Sequence, residues 1–260
     1  MKPKTKELMH LLLWTADRLS QPMFRDLSDS YEAWVYKNGL TRQAAELAKR
    51  ELIERDVGRP DARIYRLSEK GRIQALGGRD PEQQWARTWD GRWRLVAFDI
   101  PVEQNTRRQR LHRYLKHQGF GCLQDSMWIT PDPMEEEKEL LKREAINVES
   151  LILLDAQPCA GETNKQIVSG AWRFSRINGN YSRYLQVLAQ CPFETLDHEA
   201  AAKRLRRWAE RERMAWLEAV TDDPLLPHCL LPYGYMGKRA WRQRVTVLSK
   251  AGRLLKTFSI

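Results

Sequence analysis

Apolar positions recur at helical spacing through the first fifty residues. Leu8, Leu11, Leu12 and Leu19 share one side of a helix expected over 4–19, and a second short helix is expected over 29–37. Asn38-Gly39-Leu40 turns the chain, and Thr41 can cap a third helix running to about residue 54, with Ala44, Leu47, Ala48 and Leu52 inward. VGRPDARIYRLSEKGR then reads as a β-hairpin with Gly58, Pro60 and Asp61 in its turn. Ser68 opens another helix, and the polar stretch GGRDPEQQ (77–84) suits a linker. Two helices joined by a short glycine-containing turn and followed by a hairpin form the winged helix-turn-helix pattern.

The periodicity then changes. Residues 92–100 are mostly β-branched, aromatic or aliphatic and stop at Pro101, as a strand does. Val96, Phe98 and Ile100 share one face, while Trp93, Leu95, Ala97 and Asp99 share the other. Over 106–118, Leu111, Tyr114 and Leu115 make an apolar stripe among Arg107, Arg108, Arg110, Arg113 and Lys116, and Gly119 ends the helix. GCLQD and SMWIT form a short β pair. Asp132-Pro133 starts a helix whose Glu135, Glu136 and Glu137 suit its positive end, with Leu140, Leu141 and Ala145 inward. SLILLD (150–155) reads as a strand covered on both faces. The order β-α-β-β-α-β is ferredoxin-like. One face of the first strand can pack on these helices. The Trp93/Leu95/Ala97 face is then left for a partner copy, unless a loop or the C-terminal region covers it.

The last third is helical. Residues 196–220 read as one or two helices with Leu205, Trp208, Met214 and Leu217 inward, and KRLRRWAERER (203–213) sets six cations against two glutamates. The fold class expected is therefore α+β in three domains. These are a winged helix-turn-helix over 1–80, a ferredoxin-like dimerisation domain over 85–160, and a helical effector or interface domain over 161–260.

Charge sharpens this division. The net charge is +10. Residues 1–80 carry 16 Lys/Arg against 12 Asp/Glu, residues 81–160 carry 11 against 13, and residues 161–260 carry 17 against 9. The basic excess lies at the two ends, which favours a polyanionic partner there and not in the middle. MKPKTKELMHLLLW has no signal-cleavage pattern, and no apolar run approaches the roughly 20 residues that span a bilayer. A cytoplasmic protein without membrane contact is expected. Cys122, Cys159, Cys191 and Cys229 lack the paired short spacing of a zinc site and read as buried free thiols. No cofactor and no metal are expected.

WDGRWRLVAFDIP (89–101), RRQRLHRYLKHQGFG (107–121) and DSMWITP (125–131), in that order, resemble the central domain of the PaaX-like transcriptional regulators. That domain is similar in fold to the small ferredoxin-like protein of CRISPR adaptation complexes, which pairs as a homodimer. AWRFSRINGNYSRYLQVL (171–188) and DDPLLPHCLLPYGYMGKRAW (222–241) extend the resemblance to about residue 242. The sequence departs at YGYMG, where the family usually has a Trp-Pro pair before the glycine.

Candidate residues follow. If the helix beginning at Thr41 enters a major groove, Arg42 and Gln43 are placed to meet base edges, with Glu46 and Lys49 one turn on. Arg suits guanine and Gln suits adenine, because each can make two hydrogen bonds to one base edge. Arg59, Arg63 and Arg66 on the wing would meet phosphates or the minor groove. The resemblance implies a homodimeric repressor on a palindromic double-stranded operator, released by an aryl- or acyl-CoA-like effector. Arg204, Arg206, Arg207 and Arg211 would meet the effector's phosphates, and Trp172, Tyr181, Tyr184 or Trp208 its apolar end. Two alternatives stand beside this non-enzymatic reading. One is a metal-dependent nuclease around Asp99, which matches a metal ligand proposed for the CRISPR relatives. A single carboxylate holds Mg²⁺ poorly, and a local backbone cap explains Asp99 more simply. The other is a winged-helix scaffold that binds only protein.

Overall fold

The computed structural model describes residues 1, 5–6, 8–10, 41–55, 65–134, 151–159, 161–193 and 199–256. The chain divides into two compact units. The first comprises Met1–Asp80, Tyr181–Leu217 and Met236–Ile260, and the second Pro81–Asn180 with Glu218–Tyr235. Thr5, Lys6 and Leu8–His10 are helical, whereas the rest of the expected helix over 4–19, the whole of 29–37 and the turn at 38–40 lie outside the described residues.

In the first unit, helix α1 spans Thr41–Lys49, with Leu47 fully buried. It ends earlier than its apolar spacing suggests. Glu51 takes a left-handed φ of 60°, and the Leu52 amide bonds back to the Leu47 carbonyl at 3.0 Å. Leu52 is therefore buried after a turn and not on the helix face. Strands β1 (Ile53–Arg55) and β2 (Tyr65–Leu67) pair antiparallel, Glu54 opposite Arg66, and the expected turn residues between them lie outside the described set. Helix α2 (Glu69–Ala75) opens as its sequence predicts, with the Ser68 hydroxyl accepting from the Gly71 amide at 3.0 Å. Gly71 must lack a side chain, because a Cβ there would stand 1.9 Å from the Leu52 carbonyl oxygen. That close approach locks α2 to the turn that follows α1.

The second unit opens with helix α3 (Pro81–Ala86) and holds one four-stranded antiparallel sheet. Strand β3 is Trp93–Phe98, helix α4 is Asn105–His117, β4 is Gly121–Gln124, β5 is Met127–Thr130 and β6 is Leu151–Ala156. The sheet order is β4-β5-β3-β6. The helix expected after Pro133 lies outside the described residues beyond Met134. Val96, Phe98, Ile100 and Trp128 pack with Leu111, Leu115 and Phe120 around α4, as the alternation predicts.

The opposite face departs from expectation. It is not left for a partner along its whole length, because the chain's own later residues cover part of it. Trp93 and Ile129 pack with Val168 and Ala171 of helix α5 (Asn164–Ala171), with Trp172, and with Leu226 and Leu230. Trp93 donates its indole N–H to Asn164 Oδ1 at 2.8 Å, and Trp172 donates to the Gly119 carbonyl at 3.1 Å. Gly121 permits the fit: a Cβ there would lie 2.6 Å from both Ala171 and the Trp172 ring. The DDPLLP segment has a clear role in this layer. Buried Asp223 accepts from the Leu225 amide at 2.8 Å and from the Tyr235 hydroxyl, while Arg87 pairs with Asp132 at 2.6 Å and donates to the Leu225 carbonyl.

Strand β6 was expected to be covered on both faces and is not. Ile152 and Leu154, opposite Ala97 and Leu95, are each 52% exposed on a strand at the sheet edge. The covering residues gather toward the Trp93/Ala156 end, and the other end of the same face stays open.

The remaining helices are α6 (Phe174–Ala189), α7 (Glu199–Thr221) and α8 (Gly237–Lys256). Of the expected span 196–220, the described residues from Glu199 onward form a single helix. Leu205 and Trp208 are inward as expected, but Met214 is 60% exposed. Continuing the Leu205/Trp208 stripe by one turn reaches Glu212 and then Trp216, both fully buried. No described helix is long and apolar enough to cross a membrane.

Candidate nucleic-acid interface

Arg42 and Lys49 are exposed on α1, and Gln43 is half-buried with its side-chain oxygen shielded and unpartnered. Glu46 is engaged along the helix by Arg50, at 2.7 Å. Thr41 is the first residue of α1. Arg66 sits in β2 opposite Glu54, and Arg59 and Arg63 lie outside the described residues. The structure therefore brings Thr41, Arg42, Gln43 and Lys49 onto one short helix beside a hairpin.

A second basic surface runs along α7 in the same unit. Lys203, Arg204, Arg206, Arg207 and Arg211 are all exposed, while Arg213 and Glu212 of the same run turn inward. Glu210 is then the one acidic residue of that run left on the surface, against five cations. Arg204, Arg207 and Arg211 line a groove of about 490 Å³ with Gln190, Pro192, Glu210 and Trp208. Trp208 is buried and donates to the Val187 carbonyl at 2.9 Å, and Arg211 donates to Gln190 Oε1 at 3.2 Å.

Of the residues expected at an effector's apolar end, Trp208 lines this groove and Trp172, Tyr181 and Tyr184 do not. Tyr181 and Tyr184 are core residues packed against Trp216, at ring separations of 6.3 and 5.3 Å. Trp172 belongs to the sheet packing of the second unit. Tyr184 donates to Glu212 Oε1 at 2.8 Å, and burial beside that carboxylate pushes its hydroxyl well above the ordinary phenol range.

Sequence reasoning missed the charged centre of this core. Arg244 pairs with Glu212 at 2.8 Å and stacks over the Trp216 ring at 4.6 Å. The available signal was spacing, since Glu212 continues the Leu205/Trp208 stripe and Arg244 lies between Trp241 and Leu248 on the buried side of α8.

Asp99 is exposed just beyond β3. The described residues contain no cluster of three or more metal-ligating side chains. The cysteines are free but not uniformly buried, because Cys159 and Cys229 are exposed and Cys122 half-buried. Cys191 is buried, and desolvation pushes its thiol up to about 12, away from reactivity.

Comparison with known proteins places this geometry. Residues 86–168 match the family described as the PaaX protein central Cas2-like domain. The chain is 27% identical over 194 residues to the transcriptional repressor PaaX of Escherichia coli K12, an alignment covering 71% of this chain and 60% of that relative's length. It also resembles a solved structure, the uncharacterized protein Rv0674 from Mycobacterium tuberculosis, with 20% identity, 84% of each chain covered and a TM-score of 0.47. Strands β3–β6 thus lie within a segment, residues 86–168, that matches the PaaX central Cas2-like domain, in a chain distantly similar to a PaaX repressor.

Proposed function

We propose that this chain is a sequence-specific DNA-binding transcriptional regulator, a homodimeric cytoplasmic repressor without enzymatic activity. The observation that carries the reading is α1, which presents exposed Arg42 and Lys49 next to an antiparallel hairpin in a chain of net charge +10. Major-groove reading by a helix needs a long donor at its first turn, here Arg42, and a cationic surround. We read residues 1–80 as a winged helix-turn-helix, with Arg59, Arg63 and Arg66 on its wing meeting the DNA backbone. Gln43 must swing its amide outward to reach a base. The distant relative named a transcriptional repressor supports the class.

We read the central domain as ferredoxin-like and as the dimer contact. In support, the order β4-β5-β3-β6 is that of a ferredoxin-like sheet, and Ile152 and Leu154 leave an apolar strip on its edge strand. Two winged helices held at fixed separation gain affinity through effective concentration, which a single small module lacks. The testing experiment is selection of bound fragments from genomic DNA. The reading expects enrichment of one palindromic sequence, and recovery of fragments with no shared sequence counts against it.

A further inference from the structure

The groove on α7 is not needed to read bases, and its chemistry fits a different part of the same ligand. We propose that Arg204, Arg207 and Arg211 form a second contact to nucleic acid, gripping the phosphodiester backbone at a distance from the recognition helix. This inference rests on the DNA-binding reading and adds to it a place and a role.

The spacing supports it. Positions 204, 207 and 211 lie at i, i+3 and i+7, on one helix face, and at 1.5 Å per residue they span about 10 Å. One strand of DNA rises about 3.4 Å of axis per phosphate while winding around that axis, so neighbouring phosphates lie further apart than this and a row of this length reaches two or three of them. Cations three and four apart on a helix repel one another, and burial of Glu212 removes one of the two carboxylates of the run from this surface. An anion laid along the row relieves that repulsion. The guanidinium fork suits phosphate oxygens, and Arg211 is held in position by Gln190. The groove opens to solvent along the helix, with buried Trp208 against it, and the same unit contains α1.

The test measures the salt dependence of binding by the full chain to a selected DNA site and to unrelated duplex, between 50 and 200 mM KCl. Each phosphate contact contributes about 0.9 to the slope of log affinity against log salt. The variant Arg204→Gln/Arg207→Gln/Arg211→Gln should lower that slope by roughly 2–3 and weaken both duplexes alike. The variant with Lys at the three positions should keep most of the slope, which separates lost charge from lost packing. Circular dichroism checks that each variant is folded. An unchanged slope in the folded Gln variant overturns the α7 contact and leaves the recognition helix standing. Unchanged base preference in Arg42→Ala/Gln43→Ala overturns the recognition helix and leaves this contact standing. A wild-type chain that binds no DNA overturns both. If the Gln variant keeps the slope but loses thermal stabilisation by inorganic pyrophosphate, the groove is a small-anion site and the proposal fails.

Discussion

Arg244 and Glu212 form an ion pair at 2.8 Å in which neither side chain is exposed to solvent. The pair is only partly satisfied, since Arg244 Nη1 and Nη2 and Glu212 Oε2 have no hydrogen-bond partner. Removing one member of such a pair leaves an uncompensated buried charge. Arg244→Met should therefore cost about 3–5 kcal/mol, read from urea unfolding midpoints. Replacing the group together, as Glu212→Leu/Arg244→Met/Tyr184→Phe, should restore most of that loss, because matched apolar replacement of an under-satisfied buried pair is often neutral or better. A triple variant no more stable than Arg244→Met would mean that the pair contributes more than its desolvation costs.

His10 is buried, with Nδ1 unpartnered, and it faces Arg244, Arg213 and Lys6. Burial first, then these cations, hold its imidazole well below the usual histidine range. The folded protein therefore keeps His10 neutral while the unfolded chain takes up a proton near pH 6.5. Stability from this residue is complete above that pH and falls as pH drops below it, by up to about 1.4 kcal/mol per pH unit. His10→Gln should flatten the difference in melting temperature between pH 7.5 and pH 5.5. An equally steep difference in the variant would assign the pH dependence to other groups.

Ile152 and Leu154 are each half exposed on β6 at the edge of the sheet. Leu154→Lys should convert the dimer expected of the full chain to a monomer in sedimentation, with its circular dichroism unchanged because the side chain already meets water. Specific DNA affinity should fall along with the dimer. A Leu154→Lys chain that remains dimeric places the contact elsewhere.

The central domain was largely legible in the sequence because its signals are local. β3 alternates, α4 carries a single apolar stripe, and Gly121 and Gly119 sit at tight places. What covers the second face of the sheet was not legible, because Trp172, Leu226 and Leu230 come from about 80 to 140 residues beyond Trp93 and nothing near Trp93 announces them. Reading β6 as covered failed for a related reason. A largely apolar strand says nothing about whether its neighbours extend far enough to bury it. The basic run at 203–213 was read correctly as charged, but its rotation was not. A periodicity argument prefers Met214 to Glu212 as the buried residue, and the choice is reversed by Arg244 on another helix. In the candidate interface, α1 was legible in position, while its early end depended on the left-handed turn at Glu51, where no glycine marks the break.

The central claim is that α1 reads bases. Its most direct test is an equilibrium titration of wild type and Arg42→Ala/Gln43→Ala against a selected site and against a site with the contacted base pairs changed. The double variant should lose roughly 1–3 kcal/mol per lost base contact on the selected site and bind both sites equally. Undiminished discrimination between the two sites by the double variant would contradict it.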